Sequence, residues 1–188
     1  MNPVRKRTAR RRGAAAVEFA VCAPIIFLLL LGLWEVGRMT EVSNVMWNAA
    51  REGGRDASLC QQDFTAIATN VLNYLQAAEP QAFGKGHTIT LKAPVVSVPA
   101  KTSAFTCWDD TANRELCTIT FLDCTSPGTD PQSMKQLDRF EIGIQVPYAS
   151  IGWFSVASVT GKDRLHAKVQ WVAMVDSPFE IAPYLPAQ

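Results

Sequence analysis

The sequence predicts an α+β protein: a long apolar N-terminal helix, then a small antiparallel sheet packed on helices. Two observations predict the helix, a charge-free run of 16 residues from Phe19 to Trp34 and a helical apolar stripe that continues to Ala49. A third predicts the sheet: from about Thr88 onward the apolar residues fall at period two in short runs rich in β-branched and aromatic side chains. Strands follow helices without βαβ alternation, which argues against a doubly wound fold.

Composition sets the frame. The chain has 188 residues, 48% apolar and 19% charged, enough apolar content for a core and too much for a disordered chain. The formal net charge of +1 argues against a nucleic-acid partner. That charge averages two unlike parts. Arg5, Lys6, Arg7, Arg10, Arg11 and Arg12 carry six positive charges with no acid, so the rest of the chain stands at −5. We divide the chain into a basic leader (1–13), a segment with a membrane-spanning helix at about 17–36 (14–57), and an α+β head (58–188).

From Ala14 to Trp34 only Glu18 interrupts 21 residues, and at about 1.5 Å per residue a helix of that length reaches the thickness of a hydrocarbon core. Ile25–Leu31 is apolar all round, unlike the one-sided stripe of a core helix. The positive flank lies wholly on the N-terminal side, so the N-terminus is expected in the cytoplasm and the head outside. Three export signals fit poorly. No A-x-A cleavage pattern follows the apolar run, Glu18 sits too early for a twin-arginine signal, and Cys22 lies near the start of the run, preceded by the bulky Val21.

The helix is expected from about Ala14 to Glu52. Glu35, Arg38 and Glu41 are spaced for pairing on an exposed face, Val42, Val45, Met46 and Ala49 form an apolar stripe, and Gly53-Gly54 reads as a stop. Pro24 removes one helical hydrogen bond, which neighbours in lipid can re-satisfy; it is either a curvature that assists packing or an incidental kink. Arg51, Glu52 and Arg55 read as a solvated helix end. A second helix is expected over Thr65–Ala78, opened by Asp63 and ended by Pro80, with Ile67, Val71, Leu72 and Leu75 on one face. Strands are expected at Thr88–Lys92, Val95–Val98, Leu116–Leu122, Phe140–Val146 and, most clearly, Arg164–Val175. Thr125–Gln136 reads as a polar loop. Tyr148–Val159 is apolar but irregular, with Trp153 and Phe154 as core candidates.

An acid inside a span costs about 2.5–3.5 kcal/mol on insertion scales, so Glu18 calls for a reason. Its spacing supplies one. Glu18 is the fifth residue after Gly13 and Phe19 the sixth. A basic leader, a glycine, four small or apolar residues, a glutamate, an aromatic and an apolar helix resemble the class III signal of type IV pilins. More closely, Gly13, Val17-Glu18-Phe19-Ala20, Pro24 and the later Asn48-Ala49-Ala50-Arg51-Glu52-Gly53-Gly54-Arg55 resemble the TadE-like family of tight-adherence (Flp) pilus systems, with Gly54 where alanine is more usual. The resemblance covers residues 12–57.

It implies a minor pilin, or pseudopilin, cut between Gly13 and Ala14 by a membrane aspartyl prepilin peptidase, with its apolar helix retained. It implies that Glu18 neutralises a buried terminal amine of a neighbouring subunit, with Phe19 and Pro24 in the assembling segment. The implied partners are that peptidase, other minor pilins, the major Flp pilin, the inner-membrane assembly platform and the membrane. The implied location is a single-pass inner-membrane protein with a periplasmic head.

Of five cysteines, Cys22 falls in the span. The remaining Cys60, Cys107, Cys117 and Cys124 are an even set that in an oxidising compartment reads as two disulfides in any of three pairings, for instance Cys107–Cys117 with Cys60–Cys124. No metal-binding spacing, cofactor motif or nucleophile motif occurs, so no metal, cofactor or catalytic residue is expected. His87, His166 and the consecutive Asp109-Asp110 are candidates only in residue type, and the aspartates read as a solvated loop pair. Two rivals differ in class: an uncleaved single-pass anchor with a disulfide-bonded ligand-binding head, and a periplasmic thiol enzyme, which needs a reactive unpaired cysteine.

Overall fold

The computed structural model describes residues 7–84, 86–92, 102–124, 130–151 and 163–174. Their order is α1 (Arg7–Ser58), α2 (Phe64–Ala78), β1 (Ile89–Lys92), β2 (Thr102–Asp109), β3 (Arg114–Asp123), a 3-10 turn (Pro131–Ser133), β4 (Arg139–Pro147), α3 (Tyr148–Ile151) and β5 (Arg164–Val172). The chain divides into two units, Met1–Thr40 and Glu41–Gln188.

The first unit is the N-terminal stretch of α1. Among the described residues α1 is the one helix long and apolar enough to cross a membrane, and its most apolar window has no share buried in the molecule itself. Phe19, Leu29 and Trp34 are each about seven-tenths exposed. Apolar side chains are worth about 1.5–3 kcal/mol each when removed from water, so leaving this surface bare in water is costly and the helix could span a membrane. The expected helix bounds need correcting at both ends, since the helix begins at Arg7 and runs through Pro24 and Gly53-Gly54 to Ser58. Cys60 then takes a left-handed conformation (φ 54°) and its amide bonds to the Ala57 carbonyl.

In the second unit the latter part of α1 and the whole of α2 share one core with a five-stranded antiparallel sheet of order β1-β2-β3-β4-β5. Val42, Met46 and Ala49 of the α1 stripe are buried, as are Ile67, Val71, Leu72 and Leu75 of α2. Asp63 caps α2 as expected, its carboxylate accepting the Ala66 amide at 3.0 Å. On the sheet, Phe105, Ile119, Ile144 and Ala167 form one buried row across β2 to β5, and Phe121 and Ile142 belong to the next. Phe64 seats its ring 5.1 Å from Phe105 and 5.4 Å from Phe121, which lies 5.5 Å from Phe140.

The opposite face carries Thr106, Thr118, Gln145 and His166 in register. Edge strand β1 is four residues long, and its Lys92 ammonium sits 3.8 Å from the Trp108 ring centroid; a short, charged edge resists pairing with other chains. Strand β2 was missed by the sequence reading. Val95–Val98, Trp153 and Phe154 lie outside the described residues, as does 125–129 of the expected polar loop.

The glycine pair has a different role from the expected stop. A Cβ added to Gly53 would fall 2.6 Å from Val71 Cγ2. One added to Gly54 would fall 3.0 Å from Trp171 Cε2 and closer still to Nε1 and Cδ1. The glycines let α2 and the β5 tryptophan approach α1; tertiary packing overrides their weak helix propensity.

Candidate functional site

The cleavage and assembly residues expected from the resemblance fall in the first unit, and the four disulfide candidates fall in the second. Gly13 is exposed, with no atom within 4 Å of where a Cβ would lie. Glu18, Phe19 and Pro24 are exposed on α1. Ala14 lies four residues before Glu18 on α1, one helical turn away. Glu35 corrects the expected exposed pairing. It is only 9% exposed, and its Oε1 is buried with no hydrogen-bond partner among the described residues.

In the second unit the outer face of α1 forms one wall of a shallow groove of about 400 Å³, lined by Asn48, Arg51, Glu52, Arg55, Tyr74 and Trp171. The cations are loosely held. Arg51 donates to Asn48 Oδ1 at 3.5 Å, and Arg55 stands 3.8 Å from Glu52 with both side chains at least half exposed. All three charged residues are exposed, as a solvated helix end requires.

The sequence reading missed a second cluster. Asp109 was expected in a solvated loop, but it ends β2 with no exposure. Its Oδ2 lies 2.8 Å from His87 Nδ1 and 4.0 Å from Arg114 Nε, and its Oδ1 accepts the amides of Thr111 and Ala112 at 3.0 Å each. Gly84, at φ 64°, makes room, since a Cβ there would meet His87 Nδ1 at 3.2 Å and Asp109 Oδ2 at 3.3 Å. Burial pushes the Asp109 carboxyl up, but the bonds from His87 and the two amides, with the histidine's charge, outweigh it and hold the carboxyl below its ordinary range. Asp110 bonds to Thr90 instead. No spacing rule links residue 87 to residue 109; only the β1–β2 register brings them together. The cluster ties the β1 entry to the β2–β3 turn, and no hydroxyl or thiol nucleophile is bonded to the histidine among the described residues.

The cysteines are thiols in this structure. Cys107 and Cys117 face each other as register partners on β2 and β3, both fully buried. Cys60 and Cys124 are partly or largely exposed, and each thiol contacts the backbone carbonyl two residues earlier, that of Ser58 at the end of α1 and that of Leu122 in β3. Burial pushes the Cys60 thiol up, reinforced by Asp138; burial, Glu141 and Asp123 push up that of Cys124 against the opposing Arg139. A reactive cysteine needs the reverse, a stabilised thiolate, so neither fits the thiol-enzyme rival. Among the described residues no three His, Cys, Asp or Glu side chains converge to hold a metal.

No curated protein and no solved structure matches this chain. One family model does, and it begins at the glycine and ends at the arginine that bound the two halves of the quoted motif: over residues 13–55 the chain matches the model described as TadE-like protein, and that stretch is a TadE-like segment.

Proposed function

We propose that this chain is a minor pilin of a tight-adherence (Flp) pilus system and works by structure, not catalysis. Residues 1–13 form a cytoplasmic leader, the apolar stretch of α1 is held in the inner membrane, and the head faces the periplasm. A prepilin peptidase adds water across the Gly13–Ala14 bond, leaving a carboxylate on Gly13 and an amine on Ala14. The apolar helix then packs with other minor pilins, the major Flp pilin and the assembly platform, and Glu18 neutralises a terminal amine within that apolar packing.

One observation carries this reading: the TadE-like segment begins at Gly13 and includes an apolar helix that the chain leaves uncovered, with a single carboxylate at its start. A generic anchor needs no acid there. The uncleaved single-pass anchor is favoured by a different observation, that α1 is continuous from Arg7 through Gly13, whereas proteases take their substrates extended.

Intact mass and N-terminal sequencing of the protein from membranes, with and without co-expressed prepilin peptidase, separate the two. We expect a peptidase-dependent start at Ala14, abolished by Gly13→Leu. An unprocessed N-terminus in both preparations would refute the pilin reading and leave the plain anchor.

A further inference from the structure

We propose that Cys107 and Cys117 are joined as a disulfide that closes while the head folds and is sealed from exchange afterwards. The two residues are direct partners in the β2–β3 ladder, and the ladder shifts register immediately after Cys107, between Cys107 and Trp108. Both have no exposure. Directly opposite residues of an antiparallel ladder hold their side chains side by side, so the two thiols are brought together on the buried face of the sheet.

The same burial blocks late oxidation. Disulfide exchange needs a thiolate in line with an incoming disulfide. Here no reagent can reach either sulfur. The bond to Cys107, burial, and the nearby Cys107 and Glu115 all push the Cys117 thiol well above its ordinary range. The open hairpin has neither obstacle. One thiolate attacks an external disulfide, that of a thiol oxidase or oxidised glutathione, and forms a mixed disulfide. The second thiolate then displaces the external thiol. Two protons and two electrons leave the cysteines, the external disulfide is reduced to two thiols, and one S–S bond forms. The redox state of the pair therefore records the compartment in which the head folded.

The in-cell form of this inference rests on the outward-facing head proposed above; the chemical form does not. The test uses the full chain in detergent micelles carrying Cys22→Ser, Cys60→Ser and Cys124→Ser, so that only this pair can react. One sample is denatured, reduced and refolded in a glutathione redox buffer. Another is kept native and reduced in the same buffer. Each is quenched with acid, denatured, and alkylated with N-ethylmaleimide for intact mass. The refolded chain should take no adduct and lose the mass of two hydrogens. The native chain should take two adducts, its oxidation roughly a hundredfold slower because burial withholds the thiols. Two adducts on the refolded chain, or equal rates in both samples, would overturn the proposal.

Should the triple variant not fold, the wild-type chain alkylated directly in cells gives the same answer. Trypsin should leave the peptide 102–114 linked to 115–135, and the link should persist in Cys124→Ser alone. Protease accessibility of the head in spheroplasts reads orientation separately. A protected head with free thiols in cells but bridging on refolding sinks the orientation and upholds the pair. An accessible head with free thiols sinks the pair.

Discussion

Gly54→Ala is the sharpest test of how the head is built. In an exposed helix this substitution stabilises by about 0.5–1 kcal/mol, because alanine loses less backbone freedom on folding. Here the new methyl would enter the indole of Trp171, with ring atoms at and inside 3.0 Å. The ring must move, and overpacking of this kind costs about 1–3 kcal/mol. The steric cost outweighs the propensity gain, so Gly54→Ala should destabilise by up to about 2 kcal/mol, or roughly 2–4 °C in Tm per kcal/mol. The decisive comparison is the same change in a Trp171→Leu background. With the ring gone, Gly54→Ala should stabilise by about 0.5–1 kcal/mol. The assay is urea unfolding of the full chain in detergent micelles, followed by circular dichroism, for all four members of the cycle. If Gly54→Ala stabilises equally in both backgrounds, the indole does not rest on the glycine and the packing argument fails.

The sheet and its polar ties give further expectations. Phe121→Ala removes the ring between Phe64 and Phe140 and should cost about 3–5 kcal/mol in the same unfolding assay. Glu115→Ala breaks the bidentate pair to Arg164, at 2.7 and 3.0 Å, that links the starts of β3 and β5; the loss of about 1.5–3 kcal/mol should shrink as salt rises, and a salt-independent loss would point to packing instead. The Arg164 guanidinium lowers the Glu115 carboxyl, with a further bond from Thr118 and against the opposing effect of burial. Asp109 and Glu115 both sit below their unfolded ranges, about 3.9 and 4.3, so each contributes stability that is fully present above those values and is lost as pH falls through the depressed folded ones. Unfolding free energy should therefore drop below about pH 4 and drop less in Asp109→Asn; equal slopes would show that Asp109 is not the group responsible.

The helices were legible because their signals are local. Asp63, the 3-4 spacing of Ile67, Val71, Leu72 and Leu75, and Pro80 place α2 to within a residue. Strand β5 alternates cleanly and was found for the same reason. Strand β2 was not. Its inward positions are Ser103, Phe105, Cys107 and Asp109, and two polar residues among four hide the period-two pattern. They are buried because the sheet register fixes the inward face wherever the other inward residues pack. Gly53-Gly54 was misread because a pair of glycines marks a helix stop by propensity, while their actual partners, Val71 and Trp171, lie distant in sequence. Asp109 was misread similarly: nothing local announces that His87 arrives across β1. The TadE-like segment was fully visible, since its glycine, glutamate and apolar run lie at fixed spacings along one helix.

Two carboxylates bracket the apolar run, and their surroundings differ: one is buried and one exposed. Glu35 is buried, and among the described residues its Oε1 has no hydrogen-bond partner, a situation that costs about 1–3 kcal/mol for an unsatisfied buried polar group. Glu35→Leu should then raise the stability of the isolated chain by a similar amount, while Glu35→Gln, which keeps a polar group in the same place, should gain much less. Glu18 is open on the bare helix. Glu18→Gln should leave the isolated chain within about 0.5 kcal/mol of wild type, because the side chain is exposed. Its effect should appear only when other subunits do, as loss of co-purification with the pilins on detergent extraction. Reversal of the pattern, with Glu18→Gln destabilising the lone chain and leaving assembly intact, would mean that the carboxylate serves its own helix. The five-residue spacing from Gly13 would then have no intermolecular meaning.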